Sequence, residues 1–178
     1  MRSMIGAQLG LRQGIIAAVF ALFAVFPAQA QDALPAPQGD VVLTVSGAIA
    51  VTNDGETATF DRAMLEALPA ETFRTTTIWT EGEQEFTGVP LAALLERLGV
   101  TSGTLVATAI NDYSAEMPVA DALQAGPVLA YLQNGAPISR RGKGPLWIVY
   151  PYDASADFQT EVAYSRSVWQ LDRLTVVP

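Results

Sequence analysis

From residue 41 onward the chain alternates short apolar runs with polar breaks. Residues 41–51 (VVLTVSGAIAV) are rich in β-branched side chains and predict a strand, with Gly47 the place for a bulge. Asn53-Asp54-Gly55 predicts a turn. Asp61 is placed to cap a short helix over 62–68, where Met64, Leu65 and Leu68 share a side and Pro69 stops the run. Residues 75–80 predict a strand, Glu81-Gly82-Glu83 a hairpin tip, and 84–87 the returning strand. The clearest helix starts at Val89-Pro90, carries an apolar stripe of Leu91, Leu94, Leu95 and Leu98, and ends at Gly99. Strands are expected at 104–110, 113–119, 128–133, 137–138, 146–150 and 171–177, with a helical turn at 120–124. Asn134-Gly135 is the hairpin turn between the fourth and fifth of the predicted strands that follow residue 80. Many short strands with few short helices imply an α+β fold, a mixed sheet in one domain over 41–178. Residues 31–40 are Pro-rich without periodicity and predict a flexible segment leading into it. No internal repeat or low-complexity block is present.

The first thirty residues have a different pattern. Arg2 and Arg12 precede a 13-residue apolar run, 14–26, then Pro27 and Ala28-Gln29-Ala30. That order predicts a signal peptide cleaved before Gln31. Thirteen helical residues reach about 20 Å, short of the ~30 Å hydrocarbon core, which disfavours a permanent anchor. The run contains no Arg-Arg pair, so export of an unfolded chain is expected, into a periplasm or to the exterior, with no membrane insertion after cleavage.

Composition narrows the chemistry. The 178 residues include no Cys and no His. Disulfides, Cys/His zinc sites, haem ligation, iron–sulfur clusters, Ser-His-Asp triads and cysteine nucleophiles are therefore all excluded. Residues 31–178 hold all 18 acidic groups against 8 basic ones, a balance of −10. That argues against nucleic acid and anionic membrane surfaces as partners.

An ordered set of short motifs runs through the same region. Phe86-Thr87-Gly88-Val89-Pro90-Leu91 is followed by Leu94-Leu95 and Leu98-Gly99. Then come Asn111-Asp112-Tyr113, Leu129-Ala130-Tyr131, Asn134-Gly135, Gly144-Pro145-Leu146, Tyr150-Pro151 and finally Trp169 before the last strand. This order resembles the oxidoreductase molybdopterin-binding domain, the sulfite-oxidase fold, over about residues 41–178. The resemblance implies a cleft for molybdopterin, with a Cys thiolate on the metal from the strand preceding an Asn. Here Thr108 falls nearest that ligand position, within one residue, and its hard hydroxyl is a poor replacement for a soft thiolate. In the family's closing segment Arg166 stands for one basic residue, whereas Val168 precedes Trp169 where a second cation is expected. The family's export by the twin-arginine route, with cofactor already loaded, does not match this leader. The resemblance thus implies a retained fold without molybdenum chemistry.

Several residue groups are candidates for a site. Arg140-Arg141-Gly142-Lys143-Gly144 is the one basic cluster, either a solvated connection or an anion clamp whose glycine N–H groups approach the ligand. Lys143, the only lysine, has no cofactor motif to make it a Schiff base. Asn111, Asp112 and Tyr113 either line the family's cleft or form a turn bonded to its own backbone. Tyr150, Tyr152 and Asp153 are read as packing or as cleft walls. Glu81, Glu83 and Glu85 alternate, as solvated charge or a weak calcium site. Trp79, Trp147 and Trp169 are read as packing. No spacing singles out a catalytic pair among the carboxylates.

The expected function is a non-catalytic module using Asn111, Asp112, Tyr113, Arg140, Arg141, Lys143, Tyr150, Tyr152 and Arg166 to hold a small anion or a periplasmic or membrane-sensor protein. No metal and no cofactor are expected, although the resemblance implies molybdopterin. The alternatives are a molybdopterin oxidoreductase without a Cys ligand and a structural subunit of a redox or sensor system.

Overall fold

The computed structural model describes residues 33–124 and 126–178; the leader and its cleavage position lie outside the described residues. The apolar runs become strands: β-strand burial alternates in residues 41–47 and 104–109, while 58–61 and 146–149 are buried on both faces. The strands are β1 Val41–Gly47, β2 Ala58–Asp61, β3 Glu71–Thr75, β4 Gln84–Pro90 and β5 Thr104–Ala109. After them come β6 Ser114–Pro118, β7 Val128–Gln133, β8 Ala136–Pro137, β9 Leu146–Val149 and β10 Trp169–Val177. The helices are α1 Arg62–Glu66, α2 Leu91–Arg97, α3 Val119–Ala122 and α4 Glu161–Ser165. Two 3-10 turns, Tyr152–Ala154 and Ala156–Phe158, precede α4. The expected α+β class with a mixed sheet is what forms.

The sheet runs β2-β1-β10-β9-β7-β4-β3; β5 pairs with β10 and carries β6, and β8 pairs with β7. β1 and β10 are parallel, and every other pairing is antiparallel. β10 therefore bonds to β1, β5 and β9, and its register shifts at Trp169–Leu171 and Leu171–Arg173 let it do so. Leu43, Val45, Phe60, Phe86, Leu105, Trp147, Leu171 and Leu174 are fully buried between the curled sheet and the helices.

The motif residues have local physical roles. In α2, Leu91, Leu94, Leu95 and Leu98 are buried. Gly99, at φ +70°, then closes the helix as the N–H of Val100 donates to Leu95 O (2.9 Å) and that of Gly99 to Glu96 O (3.0 Å). Asn134 and Gly135, both at positive φ, make the β7–β8 turn. Gly88 sits at the β4–β7 register shift, where a Cβ would stand 2.1 Å from Leu129 O. Backbone meets backbone there, so glycine is required by close approach and not by its φ.

Three expectations are corrected. β1 stops at Gly47, because the Gly47 carbonyl turns back to accept from the N–H of Ile49 (2.8 Å). Residues 76–80 are not strand; β3 occupies 71–75 and the chain then turns. Residues 33–40 are not a free segment. Leu34 is buried, Asn53 Nδ2 donates to Pro35 O (2.6 Å), and the N–H groups of Gln38 (2.7 Å) and Gly39 (2.8 Å) donate to Asp61 Oδ2. Asp61 Oδ1 accepts from Met64 N–H (2.9 Å) as the α1 cap, and these N–H donors hold its carboxyl below the usual carboxylate range.

Replacing Gly88 by Ala should cost about 3 kcal/mol, because only backbone movement can relieve the contact. Denaturant melts of G88A against the parent protein measure it. An unchanged midpoint would mean that β4 and β7 separate at no cost.

Candidate functional site

The site begins with the alternation of β5. Leu105, Ala107 and Ala109 point inward, while Thr104, Val106 and Thr108 take the other face. Ala109 lines a cleft of about 270 Å³, together with Trp79, Asn111, Tyr113, Tyr164, Ser165, Ser167, Val168 and Trp169. Thr108, expected nearest the ligand position, lies on the other face of β5, and its neighbour Ala109 lines the cleft. A period of two decides which neighbour faces the cleft.

After β5 the chain turns tightly. Asp112 adopts φ +65°, its N–H donates to Ala109 O (2.9 Å), and Asn111 Oδ1 accepts from the N–H of Tyr113 (3.2 Å). The self-bonded turn and the cleft wall expected as rivals for Asn111 and Tyr113 are therefore both present. Tyr113 reaches across to α4, its hydroxyl donating to Ser165 O (2.9 Å). Asp112 points away from the cleft and pairs with Arg173 (2.8 Å).

Two tryptophans build the opposite walls. Trp79 lies in the 76–83 turn, where its N–H donates to Thr77 Oγ1 (3.1 Å). The turn is pinned from the far side by Asp153, which accepts from the backbone N–H and hydroxyl of Thr76 and donates its own N–H to Thr75 Oγ1 (3.1 Å). These bonds hold the Asp153 carboxyl below its usual range. Trp79 meets Trp169 (5.5 Å, 74°), Tyr164 (5.8 Å, 90°) and Trp147 (5.8 Å, 70°) edge to face. Trp169 is turned outward by the next residue, Gln170, at φ +51°. Both tryptophans were read as packing. The only sequence signal for Trp79 was a large aromatic inside a threonine-rich turn.

The basic segment lies beside this wall. Its backbone cannot cradle an anion at 141, 142 and 144: Arg141 N–H donates to Ser139 Oγ (3.2 Å), and those of Gly142 and Gly144 donate to Ser139 O (2.9 Å each). That corrects the glycine-clamp expectation. Gln170 ties the segment down, its N–H donating to Lys143 O (2.8 Å) and its Nε2 to Arg140 O (2.8 Å) and Gly142 O (3.1 Å). Lys143 Nζ stands 4.6 Å from the centroid of Trp169 and 5.4 Å from that of Trp147. Arg140 lies in a different groove, with Ile110 and Arg173, and Arg141 is exposed.

The remaining candidates are not brought to the cleft. Tyr150 and Arg166 line another groove, where Arg166 pairs with Asp121 (3.1 Å) and donates to Glu116 O (3.2 Å). Burial pushes the Tyr150 hydroxyl up to about 12, against the opposing pull of Arg166. Tyr152 is core: its hydroxyl donates to Ser167 Oγ (2.6 Å), which itself donates to Ala163 O (2.7 Å), and burial raises its pKa. Glu83 and Glu85 flank Arg74 (3.8 and 3.1 Å), and among the described residues no group of three acidic side chains is placed to hold a metal.

A family model for the oxidoreductase molybdopterin binding domain matches residues 49–157. The chain belongs to that family. Among solved structures, the sulfane dehydrogenase SoxCD from Paracoccus pantotrophus shares the fold, with a TM-score of 0.58 at 20% identity. The match covers 77% of this chain and 38% of that one, so this chain spans well under half the length of its structural neighbour. No curated protein matches.

Family membership implies a molybdenum–pterin group, and the residues present do not fit it. The cleft-facing position on β5 is a methyl group, the chain has no Cys, and no carboxylate, Lys or Arg is among the lining residues. A soft metal finds no thiolate here. The volume, about 270 Å³, also lies just below the roughly 300–1,000 Å³ usual for ligand pockets.

The Asp153 contact gives a pH test. Its depressed pKa means that its stabilisation is complete above the unfolded value of about 3.9 and is lost as pH falls through the lower folded value. Between pH 5 and pH 3 the melting temperature of the parent protein should therefore fall further than that of Asp153→Asn. At pH 7 the variant should melt lower and show weaker near-UV circular dichroism from Trp79. Parallel pH profiles would remove Asp153 as the pin of the turn.

Proposed function

We propose that this chain is a non-catalytic binding module of the molybdopterin-binding-domain family, working outside the cytoplasm and holding a small ligand in its aromatic cleft. One observation carries this: the chain has no Cys or His to serve as a soft metal donor, and the β5 side chain that lines the cleft, Ala109, offers only a methyl group. The lining supports it further. Without carboxylate, Lys or His, the cleft has no ordinary general acid or base near neutrality. What it offers is flat carbon surface with a few polar groups, the character of a binding pocket. The leader pattern supports export, and its lack of an Arg-Arg pair supports delivery without a preloaded cofactor.

A second reading, a docking surface for a periplasmic or membrane-sensor protein, is favoured by exposed apolar side chains at the same place. Tyr113 and Trp169 line the cleft and are 50% and 37% exposed; Ile78 and Ile110 adjoin Trp79 and Asn111 in the chain and are also exposed. An apolar rim of this kind marks interaction sites on soluble domains.

Protein purified from its native host should contain molybdenum and tungsten far below one atom per chain by elemental mass spectrometry. A content near one per chain, with a fluorescent pterin released by acid, would overturn the proposal. A thermal-shift screen of anions, ring compounds and free pterins should raise the melting temperature for at least one class. A pull-down from periplasmic extract tests the docking alternative.

A further inference from the structure

We infer that the ligand is a flat one- or two-ring molecule carrying a negative charge, with its ring in the cleft and its acid group met by Lys143. This rests on the binding role proposed above and adds the ligand's chemical class and the residue that selects it.

Size comes first. A cavity of about 150 Å³ holds one benzene. The cleft's volume of about 270 Å³ is thus enough for one fused pair of rings. Shape follows from the walls. Trp79 meets Trp169 at 74° and Tyr164 at 90°, so the indoles and the phenol form a corner of flat surfaces. Such a corner favours planar rings through offset or edge contacts.

Charge is the deciding feature. Three cations, Arg140, Arg141 and Lys143, lie within four residues of a region whose balance is −10. None of them takes part in an ion pair among the described residues. Lys143 stands on the ring of Trp169, a wall of the cleft, and against that of Trp147. Its flexible four-carbon stem allows Nζ to follow an acid group at the cleft mouth. The same charge disfavours a cationic ligand. Lys143 already takes the Trp169 ring that would otherwise attract an ammonium group, and no carboxylate lines the cleft to offset its charge. Gln170 is the positioning residue, because its three hydrogen bonds fix the segment that carries Lys143.

Calorimetric titration with indole-2-carboxylate and its neutral isostere indole-2-carboxamide, at low ionic strength, tests this. The parent protein should bind the acid about fivefold tighter than the amide, the upper range for a partly exposed charge pair. Lys143→Gln should bring that ratio to about one, and Lys143→Arg should restore most of it. Trp169→Ala should weaken both probes. Equal binding of acid and amide by the parent protein, or an unchanged ratio in Lys143→Gln, overturns the charge selection and leaves the cleft as a ring site. Failure of both probes to bind folded parent protein overturns the ring-binding role itself.

Discussion

The backbone of β10 has to satisfy hydrogen bonds on three neighbours. Arg173–Val176 run parallel to β1, Trp169 and Leu171 pair with β9, and residues 171–177 pair with β5 along the other edge. A regular strand cannot change partners along one edge without a break, because buried amides left unpaired are costly. The change from β9 to β1 falls between Leu171 and Arg173, just after Gln170, which takes a left-handed φ of +51°. A non-glycine residue accepts that conformation where surrounding bonds enforce it. Here its N–H and side-chain amide are both engaged by the basic segment. One strained residue thus turns Trp169 toward the cleft and fixes the segment bearing Lys143.

The cleft is assembled from parts that cannot place themselves. Trp79 comes from the β3–β4 turn, Tyr164 from α4, Trp169 from β10 and Ala109 from β5. Asp153 ties the first of these to the 3-10 turn after β9, and the Tyr152–Ser167 hydroxyl pair ties that turn to the segment before β10. Each contact is modest by itself. Together they confine three rings so that open carbon surface persists at the surface of a small domain. Apolar surface kept open in this way, with one unpaired cation beside it, is what a ring acid would bury.

The relation to the molybdenum enzymes follows from the same geometry. Three of the motif positions are explained here by packing: Phe86 against Trp147 (5.3 Å), Gly88 against the β7 backbone, Gly144 beneath Ile138 O. None of them contributes chemistry. On β5 the residue that faces the cleft is an alanine, which offers no donor. Stability and ligation draw on different residues, so this framework stands whatever its cleft holds.

Much of the architecture was legible in the chain. Leu91, Leu94, Leu95 and Leu98 declared α2, Gly99 its end, Asn134-Gly135 a hairpin, and Asp61 a helix cap, because each is governed by neighbours within about one turn. The absence of Cys and His likewise settled which metal and nucleophile chemistry is closed to the chain. The site was legible only in part. Asn111, Tyr113 and Lys143 stand in or beside the cleft, whereas Asp112, Arg140, Arg141, Tyr150, Tyr152 and Arg166 do not, and on β5 it is Ala109, next to Thr108, that lines it. The tryptophan walls were missed, since an aromatic in a turn and one before a strand look like packing until the fold brings them within 5.5 Å. Local propensity depends on residues close in sequence, whereas a cleft depends on contacts between segments some ninety residues apart, and only the folded sheet supplies those.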